Sequence, residues 1–166
     1  MDDTGRFLYL SVIVLSGFCM TIRSYNKVVY GDQEIAKEVM KLPWCHRMDI
    51  IFVNFGSIAE DCLIHKSRPA IVISTTEYNK QSSVMQVIPM SKQLKGLDKK
   101  YHVFVDHTDC EKLWESGMAM IEQMQNIDRA QISHPIGRVT DSRLIEKLET
   151  AVCYQLGMEA LNDTGK

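Results

Sequence analysis

The chain has 166 residues, 45% of them hydrophobic and 24% charged, with a formal net charge of −2. Those values suit one globular domain with an appendage and exclude a low-complexity or disordered chain. The slightly acidic balance excludes bulk electrostatics as a route to nucleic acid, so any basic footprint must be local.

Residues 1–45 read as an N-terminal extension. Phe7 to Met20 carries no charge and looks like a membrane or export element, yet it is shorter than the ~20 apolar residues a spanning helix needs. Asp2 and Asp3 outweigh Arg6, and no clear cleavage site follows, which argues against a signal peptide. A buried strand, a helix lying on the domain or on a partner, and a true start at Met20 all remain open. Membrane association of 7–20 is not the favoured reading. Gly31-Asp32 opens a short helix over about 32–42, with Ile35, Ala36, Val39 and Met40 on one face and Pro43 ending it.

From Asp49 the pattern changes to strands. Asp49–Phe55 is β-branched and aromatic, 56–67 reads as a long polar loop, and Pro69–Ser74 is a continuous apolar strand. Glu77–Ser83 reads as a turn-rich connection and Val84–Met90 as the next strand, with Pro89 marking an edge or bulge. A lysine-rich loop over 91–100 precedes a half-buried strand at Tyr101–Asp106. Further strands are expected at Gly117–Met124 and Ile136–Val139. Asp141 then caps a helix whose Leu144, Ile145, Leu148, Ala151, Val152 and Leu156 recur at helical spacing before Gly157. Short strands closed by one helix indicate a small curled sheet or barrel. Residues 46–158 form the domain and 159–166 a flexible tail. The five irregularly spaced cysteines favour reduced thiols and a cytoplasmic setting.

Arg68, at the mouth of one strand, and Ser91, at the end of the next, can converge on one phosphate. Arginine's planar fork gives two parallel charge-assisted hydrogen bonds to phosphate oxygens. An Arg-Pro pair before a strand also serves simply to end a loop.

The ordered set of motifs decides between these. Asp49–Phe55, Arg68–Ser74 with Tyr78-Asn79 behind it, and Val87–Ser91 are followed by Ile121–Met124, Ile127–Arg129 and Ile136–Val139. Over about Arg47 to Met158 this resembles the MazF/PemK family of toxin–antitoxin ribonucleases. The resemblance implies an α+β, mainly β fold, an SH3-like small barrel of the CcdB/PemK type with a C-terminal helix. It implies a homodimeric, metal-independent endoribonuclease with no cofactor, which cuts single-stranded RNA and is neutralised by an antitoxin peptide. It also implies Arg68 and Ser91 as the active pair, serine standing where the family has threonine. Three positions depart from the pattern. Arg47-Met48-Asp49 replaces Arg-Gly-Asp, the loop 58–67 has no glycine, and Gln125 stands where arginine is common. The alternative reading is a catalytically weakened relative that binds nucleic acid (DNA or RNA), an antitoxin or a gyrase-type target.

Cleavage by 2′-hydroxyl attack must remove a proton, stabilise charge on phosphorus and return a proton. Arg68 suits the second task, since it stays charged. His65 is the candidate helper because histidine titrates near neutrality, with Glu60 or Asp61 as other candidates. Each of these three fits a plain surface-loop role as well. Tyr78 and Asn79 offer stacking and hydrogen bonding to a splayed base, although Asn79 equally suits a turn. Lys92, Gln93, Lys95 and Gln123 complete the candidate RNA contacts, with Lys99 and Lys100 adding local positive charge. Cys62-x-x-His65 and His107-x-x-Cys110 offer four zinc-type ligands at a non-standard spacing. Core cysteines are the simpler reading of that pattern, and no metal site is expected.

Overall fold

The computed structural model describes residues 41–57 and 62–158. The apolar run 7–20, the expected helix at 32–42, the acidic pair Glu60-Asp61 and the tail 159–166 lie outside these or almost wholly so. The elements are β1 (Asp49–Asn54), β2 (Ser67–Val72), α1 (Thr76–Gln81), β3 (Val84–Ser91), β4 (His102–Val105), β5 (Cys110–Glu111), β6 (Gly117–Met120), β7 (Gln125–Asp128), β8 (Ile132–Val139) and α2 (Ser142–Gln155). The strands pair antiparallel in the order β4-β6-β3-β2-β1-β8-β5, and β7 adds to β3. The result is a mainly β, curled antiparallel half-barrel with a C-terminal helix.

β3 organises the sheet. Its long edge pairs β2 through Ala70↔Pro89, Ile71↔Ile88 and Val72↔Val87. Its other edge pairs β7 over Val84–Val87 and β6 over Met90–Ser91. Two apolar clusters follow from alternation along these strands. Ile50, Ile71 and Ile88 join Leu144, Leu148 and Ala151 of α2, whereas Ile51, Val53, Ala70, Val72 and Val87 pack with Cys45 and Ile127. Strands covered on both faces read as near-continuous apolar runs, as Ala70–Ile73 does.

Helix α2 is legible from its caps. The Asp141 carboxylate accepts from Leu144 N, and Gly157 takes φ 65° after the last turn, where glycine avoids the Cβ clash. The segment expected as one strand at Gly117–Met124 is instead β6 and a 3-10 turn over Ile121–Gln123, after which β7 starts at Gln125. Most of the connection expected at Glu77–Ser83 is the helix α1, Thr76–Gln81, capped by Thr75.

Where glycine was the expected residue before β1, Met48 holds φ 67°. Its backbone joins neighbouring strands through Met48 N to Val72 O and Val139 N to Met48 O, and its side chain is 5% exposed in the core. Burial of the thioether stem thus offsets a conformation that costs a non-glycine residue about 1–2 kcal/mol. Asp49 then ties β1 to β8 through its 2.7 Å contact with Arg138 Nε, and that hydrogen bond holds Arg138 above the ordinary arginine range.

No helix among the described residues is long and apolar enough to cross a membrane.

Candidate active site

The register of β2 on β3 brings the two leading residues together. Continuing Ala70↔Pro89 two positions along antiparallel strands sets Arg68 across from Ser91. Both line one cleft of about 800 Å³, with Phe52, Lys92, Gln93, Trp114, Glu115 and His134 among its walls.

Arg68 is held at one end and open at the other. Its Nε donates to the His65 carbonyl at 3.1 Å. Its two terminal nitrogens make no hydrogen bond or ion pair among the described residues, so the fork is free to take two anionic oxygens. His65 therefore acts on Arg68 through its main chain, and its ring is not part of the cleft lining.

Ser91 Oγ accepts from Gln93 N at 3.1 Å. This local turn orients the hydroxyl without the methyl a threonine would bring, and leaves its proton to donate. The carbonyl of Ser91 sits where β6 approaches closely. A Cβ on Gly117 would lie 3.1 Å from it, so glycine there permits the β3–β6 contact.

Loop 62–65 is fixed from across the fold. Gln123 Oε1 accepts from Ile64 N at 3.1 Å, and its Nε2 donates to Cys62 O at 3.3 Å. Gln123, expected to touch RNA, instead spends its amide on the loop whose His65 carbonyl holds Arg68.

The other expected contacts separate. Asn79 is fully buried, with its amide donating to Cys45 O at 2.9 Å and its Oδ1 accepting from Ser74 Oγ at 2.6 Å. That is a structural post, and it corrects the expectation of base contact. Tyr78 is 51% exposed on α1, outside the cleft lining. Lys92 lines the cleft but is paired with Glu115 at 2.6 Å. Lys95 is exposed on its loop. Lys99 and Lys100 sit over the rings of Tyr101 and Tyr154 and line a groove between β4 and α2 instead. Gln125 opens β7, paired with Val87.

Cys62, His65, His107 and Cys110 do not converge, and no group of three or more metal-ligating side chains occurs among the described residues. Burial, with Asp109 and Asp106 adding, pushes the Cys110 thiol up to about 11.

One cleft residue escaped the sequence reading. His134 stacks on Phe52 with ring centroids 5.5 Å apart and planes 21° from parallel. The two are cross-strand partners, Phe52↔His134, between the two register shifts of β1 on β8. The sequence pattern predicts this strand only over Ile136–Val139. The strand in fact begins at Ile132, and the two bulges let it run through Pro135.

A family model described as PemK-like, MazF-like toxin of type II toxin-antitoxin system matches residues 46–156. Among solved structures, MazF (Form-I) from Deinococcus radiodurans is similar at TM-score 0.59 and 20% identity, over 70% of this chain and 99% of that one. A mycobacterial endoribonuclease in complex with its cognate antitoxin gives TM-score 0.57 at 14% identity, over 70% and 98%. The Mycobacterium tuberculosis toxin MazF-mt6 gives 0.55 at 15%, over 68% and 99%. At these identities the likeness is one of fold. A search of curated proteins finds no match.

Proposed function

The chain belongs to the PemK-like, MazF-like toxin family of type II toxin–antitoxin systems, and from that premise we propose that it is an mRNA interferase. It cleaves single-stranded RNA without a metal, by attack of the 2′-hydroxyl on the adjacent phosphorus, on an SH3-like barrel of the CcdB/PemK type. It works as a homodimer and is neutralised by an antitoxin peptide. The observation that carries this reading is the open guanidinium fork of Arg68 set across from Ser91 in one cleft.

In the reaction, Arg68 binds two non-bridging oxygens and stabilises the charge that grows as phosphorus becomes five-coordinate. The Nε bond to His65 O fixes the plane of the fork before substrate arrives, which limits the reorganisation left for the chemical step. Ser91 donates to the same phosphate. Bond cleavage leaves a 2′,3′-cyclic phosphate and a 5′-hydroxyl. Arg68 is a poor base, because a guanidinium stays protonated, so proton transfer needs another group.

The test is incubation of the purified chain with mixed-sequence RNA in chelator, beside Arg68→Ala. Cuts ending in cyclic phosphate, absent with the variant, are expected. RNA left intact by the folded wild-type chain would defeat the enzyme reading and favour a binding module.

A further inference from the structure

We infer that His102 is a positioning residue, a proton-dependent latch that holds the loop between Ser91 and β4 only while its ring carries two protons. The latch belongs to the fold and works whatever chemistry the cleft performs.

The loop leaves β3 at Ser91, carries Lys92 and Gln93 into the cleft lining, and returns to the sheet at His102. The return is a tight turn. Gly96 O accepts from Lys99 N at 3.0 Å, and Lys99 O accepts from His102 N at 3.1 Å. Gly96 holds φ 67°, and a Cβ there would lie 3.2 Å from His102 Nδ1. Glycine therefore lets the ring close down on the turn. Alternation along β4 turns Val103 and Val105 into the core and His102 to the other face, yet the His102 side chain is only 8% exposed.

Both ring nitrogens meet acceptors. Nδ1 lies 2.8 Å from Gly96 O, and Nε2 lies 2.9 Å from Glu122 Oε1. A backbone carbonyl and an ionised carboxylate bring no proton of their own. A neutral imidazole has one N–H and can satisfy one of the two; both contacts together need the imidazolium. Glu122 is the counter-ion, and it sits in the 3-10 turn Ile121–Gln123. Its neighbour Gln123 fastens the loop at Cys62 and Ile64. The His102 ring thus ties the loop after Ser91 to the corner that holds the loop before Arg68.

Among the charged and titratable groups packed around the ring, Glu122 makes the ion contact. Tyr101 meets the ring edge-on at 5.1 Å. From the loop, Lys99 and Lys100 lay their ammonium groups over the Tyr101 and Tyr154 rings. From α2, Glu146 and Lys147 line the groove that His102 borders. Asp106, Asp109, Asp141 and Arg143 line the same groove, from the end of β4 and the start of α2. When pH rises through the range in which histidines titrate, one ring contact loses its hydrogen. The remaining N–H stays with the carboxylate, whose charge makes the stronger bond, and the Gly96 end is released. The loop is therefore fastened at low pH and loosened at high pH.

The experiment follows the His102 ring by nitrogen NMR, and the Lys99 and Gln93 amides by hydrogen exchange, from about pH 5.5 to 8.5. It uses the purified full chain as wild type, His102→Gln and Glu122→Gln, with circular dichroism checking the fold. At the acid end both ring nitrogens of wild type should carry protons. As one is lost, Lys99 protection, corrected for the intrinsic pH dependence of exchange, should fall roughly 10- to 150-fold. That range is one hydrogen bond to a charged group, ~1.5–3 kcal/mol, converted at tenfold per 1.4. The Gln93 amide, which donates to Ser91 Oγ, should lose protection over the same pH interval. His102→Gln cannot titrate and should give a flat profile. Glu122→Gln keeps an acceptor without the charge, so release should move to lower pH. A singly protonated ring at the acid end overturns the latch, as does the same Lys99 profile in His102→Gln as in wild type. Gln93 protection that stays constant while that of Lys99 falls overturns the hold on the cleft. If His102→Gln does not fold, the wild-type ring titration and Glu122→Gln still decide.

Discussion

Gln123→Ala tests whether the loop ahead of β2 sets the pose of Arg68. The substitution removes the acceptor of Ile64 N at 3.1 Å and the donor to Cys62 O at 3.3 Å. A net ~0.5–1.5 kcal/mol for each hydrogen bond gives roughly 1–3 kcal/mol lost from the docked loop. The open population should therefore rise roughly 5- to 150-fold, since 1.4 kcal/mol is a factor of ten. Hydrogen exchange reads this directly, as faster exchange of the Ile64 amide by the same factor, with little change in the core strands. Cleavage should fall too, because the His65 carbonyl that orients Arg68 Nε at 3.1 Å moves with the loop. Gln123→Glu keeps an acceptor for Ile64 N and should retain part of the protection. Ile64 exchange within twofold of wild type in Gln123→Ala would refute the clamp. Fast exchange with undiminished cleavage would refute the link from loop to arginine.

Met48→Ala and Met48→Gly should fall in the reverse of their usual order. Both lose a buried side chain, at a cost of about 2–5 kcal/mol for the alanine, but only glycine relaxes the φ of 67°, so urea unfolding should find the glycine variant more stable by about 1 kcal/mol. Arg129 is 2% exposed and donates to Leu42 O at 3.1 Å and to Asn79 O. Arg129→Met strands both carbonyls and should destabilise by about 3–6 kcal/mol in denaturant titration, given ~1.5–3 for each bond to a charged donor. The thiols of Cys45 and Cys110 are each raised to about 11 from an ordinary 9.0, burial being the larger cause for both. A raised thiol pKa means the folded chain keeps its proton where the unfolded chain has lost it. Stability is then full below pH 9 and declines between 9 and 11, which thermal melts across that range check against a Cys45→Ala, Cys110→Ala double variant.

The parts of this fold that the sequence announces are those written in local pattern. β1, β2 and β3 are apolar runs bounded by turns, and α2 carries its own caps in Asp141 and Gly157. That Arg68 and Ser91 come near one another is legible because each sits at a strand end, and a sheet register does the rest. The losses have equally physical causes. A helix of six residues, as α1 is, is too short to show a period, so Asn79 read as a surface turn. The β-rich stretch from Gly117 gives no local sign of where the chain bends, and only tertiary packing turns Ile121–Gln123 into a 3-10 corner. Gln123 bonds to Ile64, 59 positions away in sequence, and no spacing rule encodes such a reach. His134 falls before the short strand expected at Ile136–Val139, and only the two bulges that carry β8 back to Ile132 bring it into the sheet. The lysines illustrate the opposite error, a cluster in sequence that the fold disperses.

On the nuclease reading, the ion pair between Lys92 and Glu115 also bears on how RNA would find the cleft. With that lysine satisfied internally and the whole chain at −2, Arg68 is the cleft's uncompensated permanent cation. Few condensed ions leave the RNA when it docks, so affinity should vary only shallowly with salt, with a slope of about −0.7 for each phosphate neutralised on a single strand. Long-range attraction then contributes little to encounter, and discrimination falls to short-range fit, to whichever nucleotides can present one phosphate to one arginine.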